Sequence, residues 1–346
     1  MNEKNQPVGE RGGRERGRIG LVLGGGAALG LAHVGVIRAL EEENIQVDVV
    51  VGCSMGALVG ALWVTGRNAD DLEKIAKEFS KKSGLLKLFD PPIGRGLILL
   101  GISGFLWACG YSVLAAFFVV LLVLVGLVPV SGVVNGQAIG HWLRRKVGRV
   151  TFDETRIPLR VVACDLLHRR EIVVDQGLIT DAVFKSMALP GIIPPVMESG
   201  QMIVDGGVLN PLPVNVLLDM GVKKIIAVNV LQSPEDACQG EEREAERLKK
   251  LSRVSFFQNP WQYFVFRLQR HVNKALSPNI ADVIVRTLQA SQYGSSQASG
   301  QKAEVLITPD LSGIAWFELY KADILIQRGH DAAIKCLPAI RALVNK

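Results

Sequence analysis

Three short runs of small residues carry the side chains that could do chemistry. Gly52-Cys53-Ser54-Met55-Gly56 follows the β-branched run 47–51 and precedes a helical pattern at 57–65. A G-x-S-x-G run between strand and helix sets its serine on a sharp turn. Small neighbours make that turn possible and the oxygen is thrust outward as a nucleophile. Gly24-Gly25-Gly26-Ala27-Ala28-Leu29-Gly30 follows the strand candidate Ile19–Leu23 and opens helical spacing over 28–43. Consecutive glycines let backbone N–H groups converge, and a helix N-terminus adds positive potential, so this run is an anion cradle. A dinucleotide fingerprint needs glycine where Leu29 stands, and a phosphate loop needs Lys and Ser/Thr where Leu31 and Ala32 stand. An oxyanion hole remains. The third run, Asp205-Gly206-Gly207, puts a carboxylate at the end of the strand candidate 202–204. Alone it is no different from a common Asp-Gly turn.

A Ser-His-Asp hydrolase would need a histidine late in the chain. His33 lies in the helix after the glycine loop, His168 in a polar turn and His271 in a basic amphipathic stretch; His141 and His330 complete the set, and only His330 is late enough. Each reads as a surface or satisfied helix residue, which leaves a carboxylate to act directly as base. Cys53, Cys109, Cys164, Cys238 and Cys336 form no C-x-x-C pair, so neither a zinc site nor a disulfide framework is expected.

These runs need a frame that brings residue 54 to residue 205. Further strands are expected at 159–164, 172–174 and 225–230, and helices at 180–187 and 214–220. Strands alternating with helices predict right-handed crossovers and a mostly parallel α/β sheet. The chain has 346 residues, with 39 basic and 33 acidic side chains, a net charge of +6. Its mean hydropathy of +0.27 excludes a disordered chain and points to one unusually apolar segment. That segment is 97–134, within a stretch that has no charged residue or histidine between Arg95 and His141. Lys81, Lys82, Lys87 and Arg95 precede it, and Arg144, Arg145, Lys146 and Arg149 follow. Basic flanks on both sides predict that both ends stay cytoplasmic, with a membrane-embedded hairpin broken near 109–112. Residues 1–17 form a flexible basic arm, with no nucleic-acid-reading motif after it. Residues 240–275 form a charged and then aromatic helical segment holding Phe256, Phe257, Trp261, Tyr263, Phe264 and Phe266. It suits a bilayer interface or packing on the domain equally well.

Taken together, the three runs resemble the patatin-like phospholipase family, in particular its bacterial branch, which is similar to the catalytic domain of neuropathy target esterase. Ala32-His33-Val34-Gly35-Val36, Ala188-Leu189-Pro190-Gly191-Ile192-Ile193-Pro194-Pro195 and Asn210-Pro211-Leu212-Pro213 extend the resemblance. It covers roughly 18–82 and 136–230, with weaker similarity over 280–342. The resemblance implies a three-layer α/β/α patatin-like domain over 18–346, interrupted by the hydrophobic insertion. It implies Ser54 as nucleophile and Asp205 as general base of a Ser-Asp dyad, with the N–H groups of Gly25, Gly26 and Ala27 as the oxyanion hole. Gly24, Gly30, Gly52, Gly56, Gly206 and Gly207 complete the motifs. Neither metal nor cofactor is implied. The implied substrate is a membrane phospholipid or lysophospholipid, met at the cytoplasmic side of the inner membrane. Two departures stand out: Leu29 occupies a position where the family commonly has Arg or Lys, and the 97–134 insertion is foreign to the family core. Leu29 also supports an alternative, a weakly active or inactive lipid-binding adaptor on the same frame. Oligomeric state is left open.

Overall fold

The computed structural model describes residues 18–80, 136–236 and 280–345 apart from 317, together with positions 103, 104, 110–112 and 117. The arm at 1–17, the rest of the 97–134 segment and all of 240–275 lie outside the described residues. Among the described residues no helix is long and apolar enough to cross a membrane.

The chain begins with β1 (Ile19–Leu23), a 3₁₀ turn (Ala27–Leu31), α1 (Ala32–Glu42), β2 (Val49–Cys53), α2 (Met55–Val64) and α3 (Ala69–Ser80). After the interval come α4 (Gly136–Lys146), β3 (Leu159–Asp165), β4 (Arg170–Val174), α5 (Ile179–Ser186), β5 (Val196–Glu198) and β6 (Gln201–Asp205). The series closes with α6 (Val214–Asp219), β7 (Lys224–Val228), α7 (Ile280–Gly300), β8 (Val305–Ile307) and α8 (Ala322–Asn345).

One sheet of eight strands runs β5-β6-β3-β2-β1-β7-β8, with β4 paired to β3. The stretch from β3 to β8 is parallel, whereas β4, β5 and β6 are added antiparallel. The sheet is therefore mixed, with four parallel and three antiparallel pairings. Its antiparallel pairs β3–β4 and β5–β6 are joined by tight turns, too short for a crossover helix. Strand residues alternate between two cores. Leu21, Leu23, Val50 and Val161 face one shared with α1, α2, α5 and α8. Val22, Val49, Val51 and Val162 face the other, closed by Val214, Val216 and Leu217 of α6. Helices thus cover both faces, as an α/β sheet requires. Gly20 makes the second packing possible, since a Cβ there would stand 2.4 Å from Leu217 Cδ1.

The pairing register brings the two distant motifs together. Cys53, the last residue of β2, pairs with Val162 of β3. Asp205, the last residue of β6, pairs with the next residue, Ala163. β4 occupies the other edge of β3 across 161–165. So β2 and β6 share one edge of β3 and approach each other end to end, one parallel to it and one antiparallel.

Candidate active site

Ser54 is the single residue between β2 and α2, at φ +52 and ψ −121. Positive φ is costly for a residue with a Cβ and persists only where the surroundings impose it. Here they do. A Cβ on Gly56 would lie 2.1 Å from the Leu23 carbonyl oxygen, and one on Gly52 would lie 2.5 Å from Ala57 Cα. The elbow is also hydrogen-bonded: Ser54 N–H donates to Ser186 Oγ at 2.8 Å. Ser186, fully buried at the end of α5, donates in turn to the Val162 carbonyl at 2.5 Å. A single hydroxyl thus ties the elbow to the strand on which β2 and β6 meet.

Ser54 Oγ donates to Asp205 Oδ2 at 2.5 Å. The other carboxylate oxygen accepts the Gly207 N–H at 2.7 Å, with Cys53 Sγ at 3.9 Å. Asp205 is 3% exposed. Burial penalises its charged form and raises its pKa from 3.8 to about 6, against the opposing pull of these hydrogen bonds. Gly206 must lack a side chain, because a Cβ there would stand 2.4 Å from the Val162 carbonyl oxygen.

The glycine loop runs beside this pair. The Gly24 carbonyl accepts from His33 Nε2 at 2.8 Å, and Gly25 N–H donates to the Pro211 carbonyl at 2.8 Å. Pro211 sits next to Asn210, which joins Asn215 and the Glu171 carboxylate in a polar cluster. Gly25 is therefore committed within the protein, which corrects the expectation of its N–H as an oxyanion donor. Further along, Ala28 N–H goes to the Trp316 carbonyl and Leu29 N–H to Gly26. Gly26 and Ala27 lie between these tethered positions and line the cavity next to Ser54.

His33 is fully buried. Its Nε2 faces a carbonyl oxygen and so carries the ring proton, while burial lowers its pKa to about 4 and keeps the ring neutral. Its Nδ1 has no hydrogen-bond partner. The other described histidines stand apart from the cavity: His168 at 2.6 Å from Asp165, His330 at 2.9 Å from Glu42 and His141 beside Arg145. His271 lies outside the described residues.

Ser54 and Asp205 open into a cavity of about 450 Å³. Its walls are mostly apolar, from Leu29, Leu189, Pro190, Ile192, Leu231, Leu288 and Trp316, with Gln232, Gln289, Gln292 and Tyr293 adding polar groups. Leu29 is thus part of an apolar wall. Among the described residues no group of three or more His, Cys, Asp or Glu is placed to hold a metal. Gly24, Gly30, Gly52, Gly56, Gly206 and Gly207 all fall around the convergence of the three loops. Motif reading missed Ser186, Trp316 and the wall from α7, and quoted Pro211 within the 210–213 run without giving it a role. Ser186 alone had a signal nearby, two residues before the quoted 188–195 run.

A family model described as patatin-like phospholipase matches residues 21–218. Neuropathy target esterase sws of Drosophila melanogaster is 32% identical over 61% of this chain and 13% of its own length. An uncharacterised NTE family protein of Mycobacterium tuberculosis is 30% identical over 62% of this chain and 49% of its own length. Lysophospholipase NTE1 of Scheffersomyces stipitis is 26% identical over 95% of this chain and 19% of its own. The chain thus spans less than half the length of these relatives. With the family match covering more than half the chain and all three motifs, this protein belongs to the patatin-like phospholipase family.

Proposed function

We propose that this protein is a membrane-associated serine lipid acyl hydrolase, an esterase of phospholipase or lysophospholipase type. The observation that carries the reading is the 2.5 Å bond from Ser54 Oγ to a buried Asp205 carboxylate, at the base of an apolar cavity. Family membership and relatives named as lysophospholipases support the substrate class.

In this reading Asp205 takes the Ser54 proton as Oγ attacks the ester carbonyl carbon. The N–H groups of Gly26 and Ala27 hold the negative charge that develops on the carbonyl oxygen. Collapse of the tetrahedral intermediate breaks the ester C–O bond, and Asp205 returns the proton to the departing alcohol. Water then attacks the acyl-serine, giving its proton to Asp205, and Ser54 leaves with that proton restored. A carboxylate whose pKa is raised to about 6 is a stronger base than an exposed one, and it is still ionised at neutral pH. The membrane part of the proposal rests on the charge-free 97–134 segment and its basic flanks, which favour the cytoplasmic side of the inner membrane.

Turnover of p-nitrophenyl butyrate and of a lysophospholipid by wild type, Ser54→Ala and Asp205→Asn tests the chemistry. Each variant is expected to lose about 10³-fold or more, and full turnover in both would overturn the assignment. Leu29 favours the second reading, a lipid-binding adaptor; labelling of Ser54 by a fluorophosphonate separates the two, because an adaptor leaves it unlabelled. Carbonate extraction of membranes tests the anchoring, and intact protein released to the supernatant would count against it.

A further inference from the structure

The turn between β3 and β4 combines features that the chemistry above does not use. Leu166, Leu167, His168, Arg169 and Arg170 are all exposed, the leucines at 41% and 54%. The turn is nevertheless held firmly. Asp165, fully buried beneath it, accepts from His168 Nδ1 at 2.6 Å and is ion-paired with Arg170 Nε at 3.4 Å. Leu166 N–H donates to the Met202 carbonyl, and Met202 pairs with Met197 of β5, which is 63% exposed. That register sets Leu166, Met202 and Met197 in a row across three strands on one face of the sheet.

The turn also stands at the right end of the molecule. The cavity opens where the parallel strands end, at Gly25 and Gly26 after β1, Ser54 after β2 and Leu231 after β7. β2 stops opposite Val162, whereas β3 continues to Asp165, about 10 Å further at the rise of a strand. The leucines therefore project past the level of Ser54 at the cavity end. The chain from Leu189, Pro190 and Ile192 in the cavity wall leads directly to Met197. Nearby acids are occupied: Asp165 by the turn, Glu171 by Asn210 and Asn215, and Glu198 by Lys185. What the turn offers outward is two leucines flanked by His168, Arg169 and Arg170. Apolar side chains at headgroup depth with basic neighbours match an anionic lipid surface.

We infer that the Leu166–Arg170 turn, continued by Met197, seats the cavity on an anionic lipid surface. The inference rests on the lipid hydrolase reading above and names the face by which such an enzyme meets its substrate. The docking it describes adds to any anchoring by 97–134, because it sets which way the cavity faces.

The test attaches a nitroxide to Leu167→Cys in the full chain with Cys109, Cys238 and Cys336 changed to Ser. Cys53 and Cys164 are fully buried with thiol pKa values pushed up by burial, and so stay unlabelled. Vesicles of phosphatidylcholine alone are compared with vesicles containing about 30% phosphatidylglycerol, a load that gives a strongly negative surface. With the anionic vesicles the label is expected to gain access to oxygen and lose access to a water-soluble nickel chelate. A label at Lys302→Cys, exposed just before β8 at the opposite end of the sheet, is expected to stay in water. A label at 167 that stays in water, one that responds no more than that at 302, or one shielded only by added protein would overturn the inference.

The second arm uses Leu166→Ser with Leu167→Ser. Hydrolysis of vesicle-borne lysophospholipid is expected to fall about 10-fold or more, from the apolar area withdrawn, with soluble p-nitrophenyl butyrate unchanged within about twofold. Equal losses on both substrates, or none on either, would contradict the docking role. Absence of any hydrolysis by wild type would instead remove the hydrolase reading and leave the nitroxide result to decide docking.

Discussion

The serine elbow and the glycine loop both depend on residues without side chains, but they are confined by different material. At the elbow the neighbours of Gly52 and Gly56 are backbone atoms, Ala57 Cα and the Leu23 carbonyl. Around Gly26 the close neighbour is the end of a side chain, Val230 Cγ2 at 2.6 Å. Backbone in a strand or helix cannot retreat without breaking ladder or helix bonds, whereas a valine can turn or be replaced. The elbow is therefore fixed by the fold itself, whereas the loop at Gly26 is bounded by a partner that can drift in sequence. Leu29, in a position where the family commonly has a cation, lies on the more permissive of the two.

The harshest challenge to this contrast is Gly56→Ala. The added methyl would meet a carbonyl oxygen of β1, and we expect a loss of at least about 4 kcal/mol or failure to fold. A melting temperature within a few degrees of wild type would remove the distinction. Next is Ser186→Ala, which takes away the acceptor of the Ser54 N–H. A buried donor left unpaired costs about 1–3 kcal/mol. Because the loosened group is the elbow, kcat is expected to fall about 10–100-fold with KM nearly unchanged. A variant that loses stability alone would mean that Ser186 holds α5 to β3 and does not position Ser54.

A smaller effect comes from the carboxylate. The folded protein holds the Asp205 proton up to about pH 6, the unfolded chain only to about 3.8. Folded protein thus binds more protons across that window, so this group's contribution to stability falls as pH rises through it. Asp205→Asn has no such loss, and we expect it to be inactive yet about 1–2 kcal/mol more stable than wild type at pH 8, after allowing for an amide's weaker hydrogen bonds. Urea unfolding at pH 5 and pH 8 checks the sign, and equal stabilities at both values would refute it. For wild type, kcat/KM should rise through about pH 6 as the base ionises. The mildest change is Gly26→Ala, expected to cost about 1 kcal/mol and some activity, with Val230→Ala restoring most of both. If the second substitution rescues nothing, the loop is as firmly bounded as the elbow.

Parts of this molecule written in local patterns were legible before any coordinates. β1 agrees with the apolar run Ile19–Leu23, and α2, α5 and α6 lie within a residue or two of the expected helices. Short strands escaped: β5 and β8 have three residues each, too few to show a period, and their place in the sheet comes from partners far along the chain. The antiparallel branch was hidden for the same reason, since the direction of a strand is decided by its connection. The three chemical runs were readable because glycine leaves a plain trace where backbone passes close to backbone. Ser186, His33 and Pro211 work through a hydroxyl, a ring nitrogen and a carbonyl aimed at residues between nine and 186 positions away, and no spacing in the chain marks such partners.

The end-to-end arrival of β2 and β6 on neighbouring residues of β3 makes the separation of hydroxyl and carboxylate independent of how much chain lies between them. Extra sequence spliced into that interval lengthens the route but leaves both termini docked at the same rungs. This explains how a long greasy insertion is accommodated without disturbing the reactive pair. Two fragments divided within 81–135 are therefore expected to bring Ser54 and Asp205 together again, provided each retains its own strand.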